Sequence, residues 1–331
     1  MSVESPKFIC TVGPSTISKD ILKKMYDNGM SHIRFNMSYR LDYYDEVVKN
    51  VHDLNNEFNI NIGIICDLAG TEMRVITEKE IAVKKGQQII IGKDFLLDQG
   101  NLALLTSGEK IVIKDGKVIL CVDKYEDGLL YCTSESDDII TINANCFNKT
   151  LYDNLAFVSY KDKLNLDDAI RYDVDYIAVS HVRRKENLME IESYLKDKGK
   201  KIKLLSKIEN KEGLNNIDEI IEYSDGIMIP RGCLGKILPI EELGYNQKLI
   251  TKKTLAANKY LVSATDYLFS LIEPTTPTRA EVIDLFTAYD DGIRNIMFTK
   301  EISLSKDPIY LLNMANGIFE SYKKYEEELK K

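Results

Sequence analysis

Short β-prone runs alternate with amphipathic stretches of helical spacing over most of this 331-residue chain. That alternation limits the folds open to it more than any other feature. Phe8 to Val12 reads as a strand. Gly13-Pro14-Ser15-Thr16 then turns into a helix with Ser18 as N-cap and Ile21, Leu22 and Met25 on one face. Ser31 to Phe35 is the next strand, followed by a helix from Tyr43 to Phe58 that turns Val47, Val48, Val51 and Leu54 inward. Ile60 to Cys66 is a third strand. A βαβαβ rhythm implies parallel pairing with helical crossovers.

The rhythm breaks after Arg74. Short alternating runs follow: Ile81 to Val83, Gln88 to Ile91, Lys110 to Ile113, Val118 to Val122, Leu129 to Cys132 and Ile139 to Ile142. Turn signals separate them, such as Lys85-Gly86, Lys114-Asp115-Gly116 and Glu126-Asp127-Gly128. Helical spacing is absent, so residues 75–148 read as an inserted all-β module. The α/β rhythm resumes with a polar helix over Asn165 to Arg171. Strands Tyr176 to Val179, Ile202 to Ile208, Gly226 to Ile229, Tyr260 to Ser263 and Asn295 to Phe298 then alternate with helices. Those helices are Lys185 to Lys196, Leu214 to Ile221, Ile240 to Ala257, Thr278 to Ala288 and a last one beginning at Pro308. The count is the eight strands needed to close a (β/α)8 TIM barrel, an α/β fold made of residues 1–74 and 149–331, with the β module inserted after the third strand.

Composition restricts the function. With 44% hydrophobic and 29% charged residues the chain has the make-up of an ordinary globular protein with a substantial core. A net charge of -8 argues against binding nucleic acid through bulk charge, so a polyanionic substrate must be met by a local basic pocket. The six cysteines are scattered without a C-x-x-C pair, which suits a reducing cytoplasm and excludes a zinc-finger or disulfide framework. The first residues have no signal-peptide pattern, and no apolar run reaches membrane-span length, so a cytoplasmic protein without membrane contact is expected.

A closed barrel places its active site at the carboxyl ends of its strands. Those ends carry Arg34, Asn36 and Ser38; Asp67; Arg74 at the exit into the insert; Ser180; Lys207 with Glu209; Arg231, Gly232 and Cys233; Thr265; and Thr299 with Glu301. Lys207 and Glu209 are two apart on an extended run and so project together. On their own they read more readily as a solvated ion pair at a sheet rim, since most Lys/Glu pairs are solvated. Arg34, Arg74 and Lys207 are about the positive charge that a phosphorylated carboxylic acid needs, and Glu209 and Asp67 are oxygen ligands for hard cations.

At these residues the sequence resembles the pyruvate kinase family. The resemblance rests on Ile9-Cys10-Thr11-Val12-Gly13-Pro14-Ser15, Ile33-Arg34-Phe35-Asn36-Met37-Ser38 and Cys66-Asp67-Leu68-Ala69-Gly70-Thr71-Glu72-Met73-Arg74. It rests most on Ser206-Lys207-Ile208-Glu209-Asn210 and on Asp225 through Gly235, with Ala264-Thr265 and Pro277 through Val282 in support. It covers the barrel strongly and the β module weakly, and it implies a member with a shortened module and without the family's carboxyl-terminal domain.

The resemblance implies that Lys207 bridges a phosphoryl group in flight, that Arg74 grips the phosphate of phosphoenolpyruvate, and that Thr265 lies where the enolate takes its proton. It also implies that Glu209 ligates Mg2+, that Asp67, Asn36 and Ser38 line a K+ site, and that Arg34, Ser180, Gly232 and Thr299 contact substrate or nucleotide.

Departures accompany it. Cys233 replaces a magnesium-ligating aspartate, which points to a softer ion such as Mn2+. Leu68 replaces a potassium-binding threonine, which puts K+ in doubt. Ala69-Gly70-Thr71 replaces Lys-Gly-Pro, Tyr39 replaces a histidine, and Thr299-Lys300-Glu301-Ile302 replaces Ser-Gly-Glu-Thr. The leading expectation is transfer of phosphoryl from phosphoenolpyruvate to ADP. The alternatives are a catalytically silent binder of phosphoenolpyruvate or of a protein partner, and a metal-dependent lyase or decarboxylase of small keto acids. A homo-oligomer is compatible with either enzyme reading.

Overall fold

The computed structural model describes residues 4–39, 41–70, 73–114, 116–273 and 275–331, with the backbone alone at 236 and 237. Eight parallel strands follow one another around a closed barrel: β1 (Lys7–Thr11), β2 (Met30–Asn36), β3 (Gly63–Asp67), β4 (Tyr176–Val179), β5 (Lys203–Lys207), β6 (Gly226–Pro230), β7 (Tyr260–Ala264) and β8 (Asn295–Phe298). The pairing of β8 with β1 closes the ring. Ser18 caps the first helix, Lys19–Asp27, and the helix Tyr44–Phe58 buries Val47, Val48, Val51 and Leu54, as the spacing predicts.

The barrel interior is layered by the two-residue period of its strands. Ile9, Ile65, Ala178, Leu205, Met228, Val262 and Met297 form an apolar layer. Two residues before Ala178 and Val262, the rings of Tyr176 and Tyr260 stack with centroids 5.2 Å apart and planes 12° from parallel, flooring the barrel. Two residues after Ile9, Ile65, Ala178 and Leu205 come Thr11, Asp67, Ser180 and Lys207. The layer at the carboxyl end is therefore polar because the pleat alternates, whatever the loops do.

The chain divides into two compact units, Met1–Ala69 with Tyr160–Lys331, and Gly70–Ser159. The second is the all-β module. Its main sheet has seven strands, and Val75, Ile89, Ile91, Ile111, Ile113, Leu120 and Leu130 are among its core residues. The division falls at 69/70 and 159/160, whereas the sequence pattern placed it at 74/75 and 148/149. Strand Met73–Ile76 pairs antiparallel with Asn145–Phe147 and with Leu96–Leu97. Leu151, on the helix Lys149–Asp153, is buried in the module's core.

Two local expectations are corrected. The helix expected over 214–221 is two, Lys211–Asn215 and Ile217–Tyr223. The long helix begins as a 3-10 turn, Ile240–Glu242, before Leu243–Ala256. Short helices Arg231–Ile237 and Lys300–Ser303 follow β6 and β8 directly and are too brief for periodicity to reveal. Among the described residues no helix is long and apolar enough to cross a membrane.

Candidate active site

Lys207 is the centre of the polar layer. Its Nζ donates to Asp67 Oδ1 and to Ser180 Oγ, both at 2.8 Å, and stands 3.2 Å from Glu209 Oε1. Strand β5 ends at Lys207, so Glu209 lies just beyond the strand and not on it; the two side chains still meet. Lys207 is 9% exposed, Asp67 2% and Glu209 3%, so the solvated-rim alternative does not hold. Asp67 also binds Arg34, whose Nε and Nη2 reach Oδ2 at 3.0 and 2.6 Å. Arg34 Nη1 donates to the Thr11 hydroxyl at 3.2 Å, and that hydroxyl donates to the Phe298 carbonyl at 2.9 Å. The Ser180 hydroxyl donates to the Leu68 carbonyl at 2.8 Å. Five strands, β1 to β5, thus converge through residues at or near their carboxyl ends.

The electrostatics favour the charged forms of Lys207, Asp67 and Glu209. Burial alone would push the Lys207 ammonium down; Asp67 and Glu209, joined by Cys233, outweigh it and raise its pKa above the ordinary lysine value. Burial alone would raise Asp67, but Lys207 and Arg34 hold it below the usual carboxylate range. Glu209 is likewise pushed up by burial and pulled down further by Lys207 and His181, ending below its ordinary value. The backbone N–H of His181, a residue with φ of 57°, donates to Glu209 Oε2 at 2.8 Å, and its Nδ1 is 3.6 Å away.

The other side of the barrel mouth is built from β6, β7 and β8. The Thr265 hydroxyl accepts from Gly232 N–H at 2.8 Å and donates to the Ala264 carbonyl at 2.6 Å. Thr299 donates from its backbone N–H and its hydroxyl to Glu301, at 2.6 and 2.8 Å. Cys233 is exposed on the short helix after β6. Asn36 Oδ1 accepts from Ser38 N–H at 3.2 Å, and the Ser38 carbonyl accepts from Lys161 Nζ at 3.0 Å. Arg74 belongs to the second unit, where Nη1 donates to the Asn143 carbonyl at 3.0 Å. Thr71 and Glu72 of the quoted motif, and Asp115 of the quoted turn, lie outside the described residues. The barrel therefore brings Arg34, Asp67, Ser180, Lys207 and Glu209 together in one group and Gly232 and Thr265 in another, with Thr299 tied to Glu301.

Among the described residues no group of three or more His, Cys, Asp or Glu side chains gathers as a metal site. A magnesium-type ion usually takes one or two carboxylates and completes its shell with water and substrate phosphate oxygens. Buried Glu209, with a lone pair left on each oxygen, fits such an ion. The potassium set fits poorly. Both Asp67 oxygens are engaged by cations, Asn36 Oδ1 is engaged by Ser38, and Leu68 offers hydrocarbon at that place.

A family model described as the pyruvate kinase barrel domain matches residues 3–310. The chain belongs to the pyruvate kinase family. It is 34% identical over 319 residues to a pyruvate kinase of Dictyostelium discoideum, covering 91% of this chain and 63% of that protein. It is 31% identical to the pyruvate kinase of Thermoplasma acidophilum, covering 92% and 55%, and 31% identical to that of Thermotoga maritima, covering 96% and 70%. The chain thus spans 55% to 70% of the length of these three relatives.

Sequence reasoning named Lys207, Glu209, Asp67 and Ser180 but not their joint hydrogen bonding. It missed Thr11 as the support of Arg34 and the His181 N–H as the anchor of Glu209. The two-residue offset from buried Ile9 was the available signal for Thr11. The left-handed backbone at His181 had none.

Proposed function

We propose that the chain catalyses phosphoryl transfer between phosphoenolpyruvate and ADP, as a pyruvate-kinase-type phosphotransferase. The observation that carries this reading is the buried Lys207 ammonium, held charged at the barrel mouth by Asp67, Ser180 and Glu209. In the reaction the bond between phosphorus and the enol oxygen breaks and a bond to a terminal β-phosphate oxygen of ADP forms. The enolate then takes a proton at its methylene carbon and becomes pyruvate. Such transfers demand positioning and charge neutralisation rather than a protein nucleophile. Lys207 is the fixed positive charge for the phosphoryl oxygens, and Asp67 with Arg34 keeps it in place. Thr265 is the residue beside the carbon that is protonated. Arg74 is assigned to the substrate phosphate, and Arg34, Ser180, Gly232 and Thr299 to substrate or nucleotide, by family likeness. Glu209, with Cys233 near it, would hold a divalent cation, which when bound neutralises phosphoryl oxygens as a Lewis acid.

The test is a coupled assay of pyruvate release from phosphoenolpyruvate and ADP across magnesium, manganese and cobalt. Turnover with at least one metal, strongest with manganese, is expected. No turnover with any metal, together with a phosphoenolpyruvate-induced rise in melting temperature, would make the chain a silent binder. Nucleotide-free turnover of oxaloacetate, in place of transfer to ADP, would make it a lyase.

A further inference from the structure

We propose that Arg231 and Glu301 are positioning residues that grip the two edges of the peptide group joining Thr265 to Asp266, and so fix the Thr265 hydroxyl for proton delivery. The inference rests on the phosphotransfer reading and adds to it two residues that contact neither substrate nor metal in that scheme.

Thr265 has φ of 76°, and Asp266 follows at 60°. A β-branched residue in this region is an outlier that costs about 1–3 kcal/mol and persists only where its surroundings over-determine it. Two charged groups do so here. Arg231 Nε donates to the Thr265 carbonyl at 2.9 Å. Glu301 Oε1 accepts from Asp266 N–H at 2.5 Å. That carbonyl and that N–H are the two polar atoms of a single planar peptide. A cation holds its oxygen and an anion holds its hydrogen, and charge-assisted bonds of this kind are the stronger class.

Each grip is itself fixed. Arg231 lies over the Tyr267 ring with its guanidinium carbon 3.6 Å from the centroid, and its Nη1 meets both oxygens of Asp284 at 2.9 and 2.8 Å. Glu301 is 1% exposed, and its second oxygen takes both donors of Thr299. Arg231 follows β6, Thr265 follows β7 and Glu301 follows β8, so the grip ties three consecutive strand ends. Its product is the hydroxyl position. With the peptide held, Thr265 Oγ1 sits on Gly232 N–H, so close that a Cβ at Gly232 would stand 3.3 Å from it. With either edge released, the peptide is free to flip towards a relaxed conformation and carry the hydroxyl off that N–H.

A purely architectural ion pair between Arg231 and Asp284 would affect stability alone. The experiment therefore separates chemistry from folding, using Arg231→Gln, Glu301→Gln and the milder Asp284→Asn, whose carboxylate is already 38% exposed. Misplacing a reacting group by about 1 Å costs on the order of a hundredfold. Arg231→Gln and Glu301→Gln are expected to lose roughly ten- to a hundredfold in kcat with KM for phosphoenolpyruvate unchanged. Deuterium exchange into the pyruvate methyl group should fall in parallel. On a Thr265→Val background neither change should lower kcat further, because all act through one hydroxyl. Asp284→Asn should fall between wild type and Arg231→Gln and serves if the arginine variant does not fold. Folded variants with wild-type kcat, or losses that multiply with Thr265→Val, overturn the inference while leaving phosphotransfer intact. A wild-type chain without turnover overturns both.

Discussion

Replacing Lys207 with methionine keeps an unbranched side chain one atom shorter and deletes its charge. Asp67 keeps Arg34 at 2.6 Å, whereas Glu209 keeps the His181 N–H at 2.8 Å and the imidazole at 3.6 Å in place of a direct ammonium contact. Breaking a buried pair from one side costs about 3–5 kcal/mol, because the remaining charge stays buried. At about 2 °C per kcal/mol for a unit of this size, the unfolding temperature should drop by roughly 6–10 °C at pH 8. The sign with pH follows from the shifts. In the wild type Asp67 and Glu209 titrate below their ordinary values; their contribution is present above the unfolded carboxylate range, near about 4, and is lost as pH falls through the folded values. In Lys207→Met, burial at Glu209 is no longer opposed by the ammonium, so that carboxyl rises instead and is relieved by taking a proton. The deficit should therefore shrink from pH 8 to pH 5. Thermal melts at both values test this. An unchanged melting temperature at pH 8, or a deficit that widens at pH 5, would refute the buried-charge account.

Cys233→Asp should raise the magnesium-supported rate relative to the manganese-supported one, because it replaces a thiol with the oxygen a hard ion prefers; equal rates would place residue 233 outside the metal shell. Gly226→Ala should destabilise the barrel by about 1–3 kcal/mol in urea titration, since strain in a closed sheet has little outlet. The added Cβ would stand 2.6 Å from the Tyr260 carbonyl and 2.8 Å from Leu205. A neutral result would show that β6 and β7 separate more easily than a closed ring permits.

Much of this architecture was legible because it repeats. Eight β-prone runs alternating with helical spacing are local patterns, and they were enough to place Asp67, Ser180 and Lys207 at strand ends. The i, i+2 spacing of Lys207 and Glu209 also anticipated their contact. Their burial was not legible, since it depends on Asp67 arriving from a strand 140 residues away. Strand Met73–Ile76 is too short to announce its antiparallel partners from sequence. The grip on the Thr265 peptide was hidden for a different reason. It depends on a left-handed threonine, which sequence disfavours, and on two short helices that begin where strands end.

The account's central claim is that a buried lysine at the barrel mouth serves phosphoryl transfer, and phosphorus NMR addresses it without coupling enzymes. Phosphoenolpyruvate, ADP and manganese removed by chelation before acquisition should yield ATP resonances with the wild-type chain. Lys207→Met, folded at the temperature of the assay, should yield none above background. ATP formed equally by both proteins, or by neither while phosphoenolpyruvate is still bound, would contradict it.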